Sequence, residues 1–263
     1  MSLLVWLPLL DNLNNQGLSN TIFKAQSGVT QSTAGKIGGC YYLNGKTLSS
    51  PGFTHLAGSS DFSACCWVKF TSFPSDSNAY CICLNNTSAS VYKFILGVYS
   101  NNGTTANFRL NAGNSVGTLE LNTWYHLAIC VSGEKGSMYI NGNLVKSVSG
   151  LKSSDCENLV IGGRSTNAAG TSFTGTSAPA YYNDVRIYNH CLSPREVKAI
   201  AAGLVLHYKL ADNYNAAIDC SGYGRNGSIT GTISFDTDTK RYAGSSVFDG
   251  STTGIDVPIK ELM

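Results

Sequence analysis

The chain has 263 residues, a formal charge of +2 and 13% charged residues, about half the usual share. Its 43% hydrophobic content suffices for a substantial core, and its length allows one or two domains. It has no basic run, which argues against a nucleic-acid partner, and no stretch of 18 apolar residues, which argues against membrane insertion.

The apolar opening Leu3–Leu10 lacks a basic leader and is closed by Asp11, so it reads as a strand and not as a signal peptide. Phe62–Phe70 is apolar and aromatic and ends before Pro74. Tyr80–Leu84 and Tyr92–Tyr99 alternate and stop at Asn-rich turns, and Ala106–Leu110 is short. Trp124–Val131 is apolar on both faces, as a central strand between two layers must be. Ser137–Ile140 and Leu144–Val148 flank Asn141-Gly142, a strong hairpin signal because both turn positions need positive φ. Leu159–Ile161 and Val185–Tyr188 close the strand set. A helix is expected over 194–202, with Ser193 as N-cap, Pro194 in the first turn, Glu196 closing a capping box and Gly203 as the stop.

The opening then returns. Leu4-Val5-Trp6-Leu7-Pro8-Leu9 reappears as Val205-Leu206-His207-Tyr208-Lys209-Leu210, and Gly39–Gly45 reappears as Gly244–Gly250, at offsets of 201 and 205. A repeat this long is a domain and not a solenoid unit. The expectation is an all-β protein: a two-sheet antiparallel jelly-roll sandwich at 3–203 with one short C-terminal helix, then at 204–263 the first strands of a second, incomplete copy.

Nine cysteines include adjacent Cys65-Cys66. An odd count with such neighbours argues against a disulfide framework, and most read as buried thiols acting as small hydrophobes. Cys81-x-Cys83 lacks a second ligand pair for zinc.

Three segments resemble the laminin-G-like, concanavalin A-like jelly-roll family. Asp61–Lys69 is similar to its early strand ending in W-V-K. Trp124-Tyr125-His126-Leu127-Ala128 with Tyr139-Ile140-Asn141-Gly142-Asn143-Leu144-Val145 is similar to its central hallmark. Asn183–Val197 is similar to its closing D-V-R-I-Y-N and L-S-x-x-E-V strand and helix. The opening L-L-V-W-L-P-L also resembles bacteriophage structural or receptor-binding proteins. These resemblances imply a lectin-like adhesion module that recognises cell-surface glycans in a virion or extracellular surface assembly. The alternatives are a purely structural virion or fibre subunit contacting its neighbours and, more remotely, a glycoside hydrolase. Oligomeric state is open, with self-association among the options.

A retaining glycosidase of this fold needs two carboxylates on one strand about 5–5.5 Å apart. The chain has no E-x-D-x-x-E run, and its glutamates are scattered, so no catalytic residue is assigned. His126 shares a face with Trp124, Ala128 and Cys130 and reads as a satisfied core histidine. Some relatives hold a rim calcium through several oxygens; Asp76, Asp155 and Asp184 are the acids to consider, and no metal or cofactor is assigned. Glycan binding needs aromatic rings surrounded by neutral donors and acceptors. The candidates are Tyr80, Asn85, Asn86, Tyr99, Asn101, Asn102, Arg164, Asn167, Tyr181 and Tyr182, with Tyr181-Tyr182 facing opposite ways on one strand.

Overall fold

The computed structural model describes residues 2–85, 92–111, 113–151, 157–167, 172–174, 178–203, 208, 210, 217–218, 226–236 and 245–257. Contacts divide the chain into two units, residues 1–202 and 203–263.

The first unit is a sandwich of two antiparallel sheets. The first sheet has eight strands, ordered Asn143–Val148, Lys135–Ile140, Tyr125–Ser132, Phe62–Phe70, Ala180–Tyr188, Cys40–Tyr42 and Thr30–Ser32, with Leu3–Leu7 also pairing to Ala180–Tyr188. The second has seven, ordered Asn114–Glu120, Thr105–Leu110, Tyr92–Ser100, Ser77–Asn85, Asn158–Ile161, Leu48–Pro51 and Lys24–Ala25. Alternate residues face inward because strand side chains have period two. Phe62, Ala64, Cys66, Val68, Leu127, Ile129 and Val131 of the first sheet thus meet Ile82, Leu84, Phe94, Leu96, Val98 and Phe108 of the second in one buried core.

Tyr125–Ser132 is apolar on its other face as well, and a helix explains why. Cys65, Ala128, Cys130 and Tyr139 form a second cluster with Leu192 and Val197, so the helix Pro194–Ala201 covers the outer surface of this sheet. The capping box is present: Glu196 N donates to Ser193 Oγ, and Ser193 N donates to Glu196 Oε2 at 2.7 Å. Gly203 has φ of 66°, the left-handed conformation of a helix stop. Asn141 and Gly142, with φ of 52° and 79°, make the expected hairpin turn.

The strand Ala180–Tyr188 is irregular at its centre. Its register against Phe62–Phe70 shifts between Asn183 and Arg186, and Asp184 has φ of 51°. This bulge turns the Asp184 carboxylate into a buried knot. Its Oδ1 accepts from Trp6 Nε1 at 2.7 Å and from Arg186 Nε at 2.8 Å, and the Arg186 guanidinium lies 5.2 Å from the centre of the Trp6 ring. Asp184 is therefore a structural anion that ties the first strand of the unit to the last.

Among the described cysteines, Cys40, Cys65, Cys66, Cys81, Cys83 and Cys130 are buried free thiols, whereas Cys191 is exposed. Burial pushes the Cys81 and Cys130 thiols up to about 12, which removes the thiolate needed for reactivity. Cys156 and Cys220 lie outside the described residues.

In the second unit, Ser228–Thr230 pairs with Gly254–Asp256 and Ser234–Asp236 pairs with Ser245–Val247. The registers Ser234↔Val247, Phe235↔Ser246 and Asp236↔Ser245 run parallel to Thr30↔Tyr42, Gln31↔Tyr41 and Ser32↔Cys40 of the first unit. The Asp249 carboxylate accepts from the Thr252 hydroxyl and from the amides of Ser251, Thr252 and Thr253, the amide bonds at 2.8–2.9 Å, and these donors, the hydroxyl first, hold it below the usual carboxylate range.

Candidate functional site

The outer face of the second sheet gathers the most chemistry on open surface. Phe94, Leu96 and Val98 point into the core, so Gly97 and Tyr99 take the opposite face. Strand pairing places Tyr80 opposite Gly97 and Gly97 opposite Arg109, while Asn78 sits opposite Tyr99 and Tyr99 opposite Asn107. Tyr80, Asn78, Tyr99 and Arg109 are all half-buried, and Asn107 is exposed. Gly97 is required here: a Cβ on it would lie 2.5 Å from the Ala79 carbonyl oxygen, beside the bulge between Tyr80 and Ile82. Gly97 is itself buried, and it separates Tyr80 from Arg109, two strands or about 10 Å apart.

Each tyrosine carries a guanidinium over its ring, with Arg109 5.5 Å from the Tyr99 centroid and Arg164 5.4 Å from that of Tyr80. Arg109 is fixed in orientation. Its Nε donates to Asn111 O at 3.0 Å and its Nη1 donates to Asn78 Oδ1. Asn111 adopts φ of 52°, and its side chain accepts from Ile95 N at 2.8 Å, which turns its carbonyl toward Arg109. The Tyr99 hydroxyl donates to Asp76 Oδ1 at 2.7 Å, and this bond to a carboxylate raises the phenol above its ordinary range. Arg164 is positioned from below: buried Asn85 donates from Nδ2 to Ser165 O at 2.7 Å and pins the short strand Arg164–Ser165 against the sheet.

The outer face of the first sheet is different. Lys69, Tyr181 and Tyr42 follow one another across three strands, and Trp124, just before the strand Tyr125–Ser132, lies on the other side of Lys69; all four are half-buried. Lys69 Nζ lies 5.3 Å from the Trp124 ring and 4.8 Å from that of Tyr181, whose centroid is 4.7 Å from that of Tyr42. Nearer the helix, this face closes. His126 is fully buried with its ring edge-on to Trp67 at 5.4 Å. The expectation of a satisfied histidine is corrected: neither ring nitrogen has a hydrogen-bond partner, because the indole and the sheet fill the space around it. Burial lowers its pKa to about 4, so the imidazole is neutral.

The expected binding residues divide accordingly. Tyr80, Tyr99 and Arg164 come together on the second sheet, and Tyr181 lies on the opposite side of the sandwich. Tyr182 is 1% exposed in the core, out of reach of a ligand. Asn85 and Asn167 serve the fold. Asn85 anchors Ser165 from a buried position, and the Asn167 carbonyl accepts from Ser165 Oγ at 2.8 Å. Asn101 and Asn102 are exposed in a turn, where Asn102 Oδ1 accepts from the amides of Thr104 and Thr105. Asn86 and Asp155 lie outside the described residues. Gly97 and Arg109 were not expected. Alternation placed Asn78 and Arg109 off the core, but only strand pairing brings them beside Tyr80 and Tyr99.

The described acids are not arranged to hold calcium. Asp184 is committed to Trp6 and Arg186, Asp76 to Tyr99, and among the described residues no three of His, Cys, Asp and Glu gather around a point.

The family model described as the concanavalin A-like lectin/glucanases superfamily matches residues 43–198, more than half of the chain. No curated protein matches the chain. Among solved structures, the binding domain of botulinum neurotoxin serotype C1 is similar at 13% identity and a TM-score of 0.57, over 82% of this chain and 55% of that one. Domain 4 of a GH43 extracellular arabinanase from Geobacillus stearothermophilus, solved with arabinotriose, is similar at 17% identity and a TM-score of 0.52, over 76% of this chain and 98% of that domain. Trypanosoma rangeli sialidase is similar at 16% identity and a TM-score of 0.54, over 76% of this chain and 33% of the sialidase. The chain thus spans about a third of the sialidase and about half of the toxin binding domain, and at these identities the likeness is one of fold.

Proposed function

The chain belongs to the concanavalin A-like lectin/glucanases superfamily, and from that premise we propose that it is a non-catalytic carbohydrate-binding module whose ligand face is the outer surface of the second sheet. One observation carries the reading: Tyr80 and Tyr99, each half-buried with a guanidinium at its ring, stand with Asn78 on the outer face of this sheet. Aromatic edges and faces suit the apolar side of a sugar, while amide and guanidinium groups suit its hydroxyls. The arabinanase domain solved with arabinotriose supports this reading, since the same fold there stands beside a sugar ligand. The carboxylates support it too. Asp76 reaches this face bonded to Tyr99, and the sequence has no E-x-D-x-x-E run of the kind a retaining site of this fold uses. The parallel registers of the two units support a companion proposal, that residues 204–263 are the opening strands of a second copy.

The test is a glycan array probed with the intact chain and with Tyr80→Ala. The reading expects a defined set of bound glycans in chelator as well as in calcium, and at least a tenfold weaker signal for the variant. An array without signal, or a variant that binds as the parent does, overturns it.

A further inference from the structure

On the opposite side of the sandwich, Lys69, Tyr181 and Tyr42 cross three strands, about 10 Å at ordinary strand spacing, and Trp124 extends the row beyond Lys69. One step along the central strand on the same face is Trp67, with Lys36 lying over its ring at 5.0 Å. Lys36 is exposed and Lys69 half-buried, and neither is within ion-pair distance of a carboxylate among the described residues. Two ammonium groups are thus held on aromatic faces of one surface, with their stems packed on the rings and their charges left uncompensated. We propose that this face is a second binding site, specific for an anionic polysaccharide. The site does not depend on the second-sheet reading, because the two sets of residues lie on opposite faces.

The ring geometry favours a sugar chain over a single-stranded nucleic acid. Bases bind by stacking on open ring faces. Here Tyr42 and Tyr181 pack on each other at an interplanar angle of 33°, and Lys69 occupies the space between Tyr181 and Trp124. The row therefore presents ring edges and cations. At its end the Tyr42 hydroxyl lies 3.4 Å from Asn44 Oδ1 and 3.3 Å from Thr71 Oγ1, a cluster of neutral groups matched to sugar hydroxyls. The carboxylate of a uronic acid and a sugar sulfate share the chemistry that two lysines recognise.

The experiment is a tryptophan-fluorescence titration of the intact chain with sodium alginate, dextran sulfate, neutral dextran and oligo(dT). Trp6 and Trp67 are 3% and 5% exposed, so Trp124 is the indole open to a ligand on this face. Alginate, dextran sulfate or both are expected to bind, and which of them does so identifies carboxylate or sulfate as the recognised group. Binding should weaken at least about tenfold from 50 to 500 mM salt, as screening predicts for exposed charges. Dextran should not bind, and Trp124→Phe should remove the optical response. Lys36→Gln combined with Lys69→Gln should weaken binding about tenfold. Lys36→Gln alone, at an exposed position, should weaken it by a smaller factor and keep the fold. The proposal is overturned if neither polyanion binds, if both lysine variants bind as the parent does, or if oligo(dT) binds as tightly as the polysaccharides.

Discussion

Among the described residues, two arginine–aromatic–carboxylate groupings occur in this sandwich, one on each outer face. On the first sheet, Arg186 lies over Trp6 and both donate to Asp184, all of it buried. On the second, Arg109 lies over Tyr99 and Tyr99 donates to Asp76, with the ring and the cation both partly open to water. The residue classes match, so they do not distinguish structure from function. Burial does. Where the bulge and the N-terminal strand close over the charges, the grouping ties chain ends together; where the face stays open, it is available to a ligand.

The largest way to break this comparison is to delete an anion from each side. Asp184→Ala leaves the Arg186 guanidinium buried without its carboxylate and is expected to cost about 3–5 kcal/mol in denaturant unfolding. Asp76→Ala should leave the unfolding midpoint unchanged and lower the Tyr99 phenol toward its ordinary range, seen by ultraviolet titration. Equal destabilisation by the two variants would erase the distinction.

His126 sharpens the same contrast through pH. Its folded-state pKa of about 4 is below the value near 6.5 of an unfolded histidine. Between those values the unfolded chain binds the extra proton, so stability is full above about pH 6.5 and falls as pH drops toward 4, by about 3 kcal/mol in all. His126→Leu should remove that slope from a pH series of unfolding curves; an unchanged slope would mean that another group titrates.

Asn85→Ala has a smaller expected cost, about 1–3 kcal/mol, because it leaves the buried Ser165 carbonyl without this donor. It should also weaken glycan binding, since Arg164 then loses the support that keeps it over Tyr80. A stability loss with intact binding would separate Arg164 from the site.

Much of the fold was legible in the sequence. The capping box at Ser193–Glu196, the Asn141-Gly142 turn and the alternating runs each carry their own local physics and appear where expected. The edge strands Lys24–Ala25, Thr30–Ser32 and Asn114–Glu120 were not legible, because they are mostly exposed and polar and show no apolar alternation. The site was legible only in part. Alternation separates Tyr181 from Tyr182, but it does not say which of them enters the core, nor that Tyr80 and Tyr181 belong to different sheets. Those facts depend on pairings between residues far apart in the chain. The Asp184 bulge shows the limit best: it reverses the facing of a strand in the middle of its most regular motif.

The most direct test pairs one aromatic from each face. Melting temperature and glycan binding would be measured for Tyr80→Ala and Trp6→Ala in the same buffer. Trp6→Ala, losing a buried indole and its bond to Asp184, should melt about 10 °C lower yet bind glycan as the parent does while folded. Tyr80→Ala should keep its melting temperature and lose binding. The reverse pattern, or loss of both properties in both variants, would contradict the assignment of the buried grouping to structure and the open one to ligand.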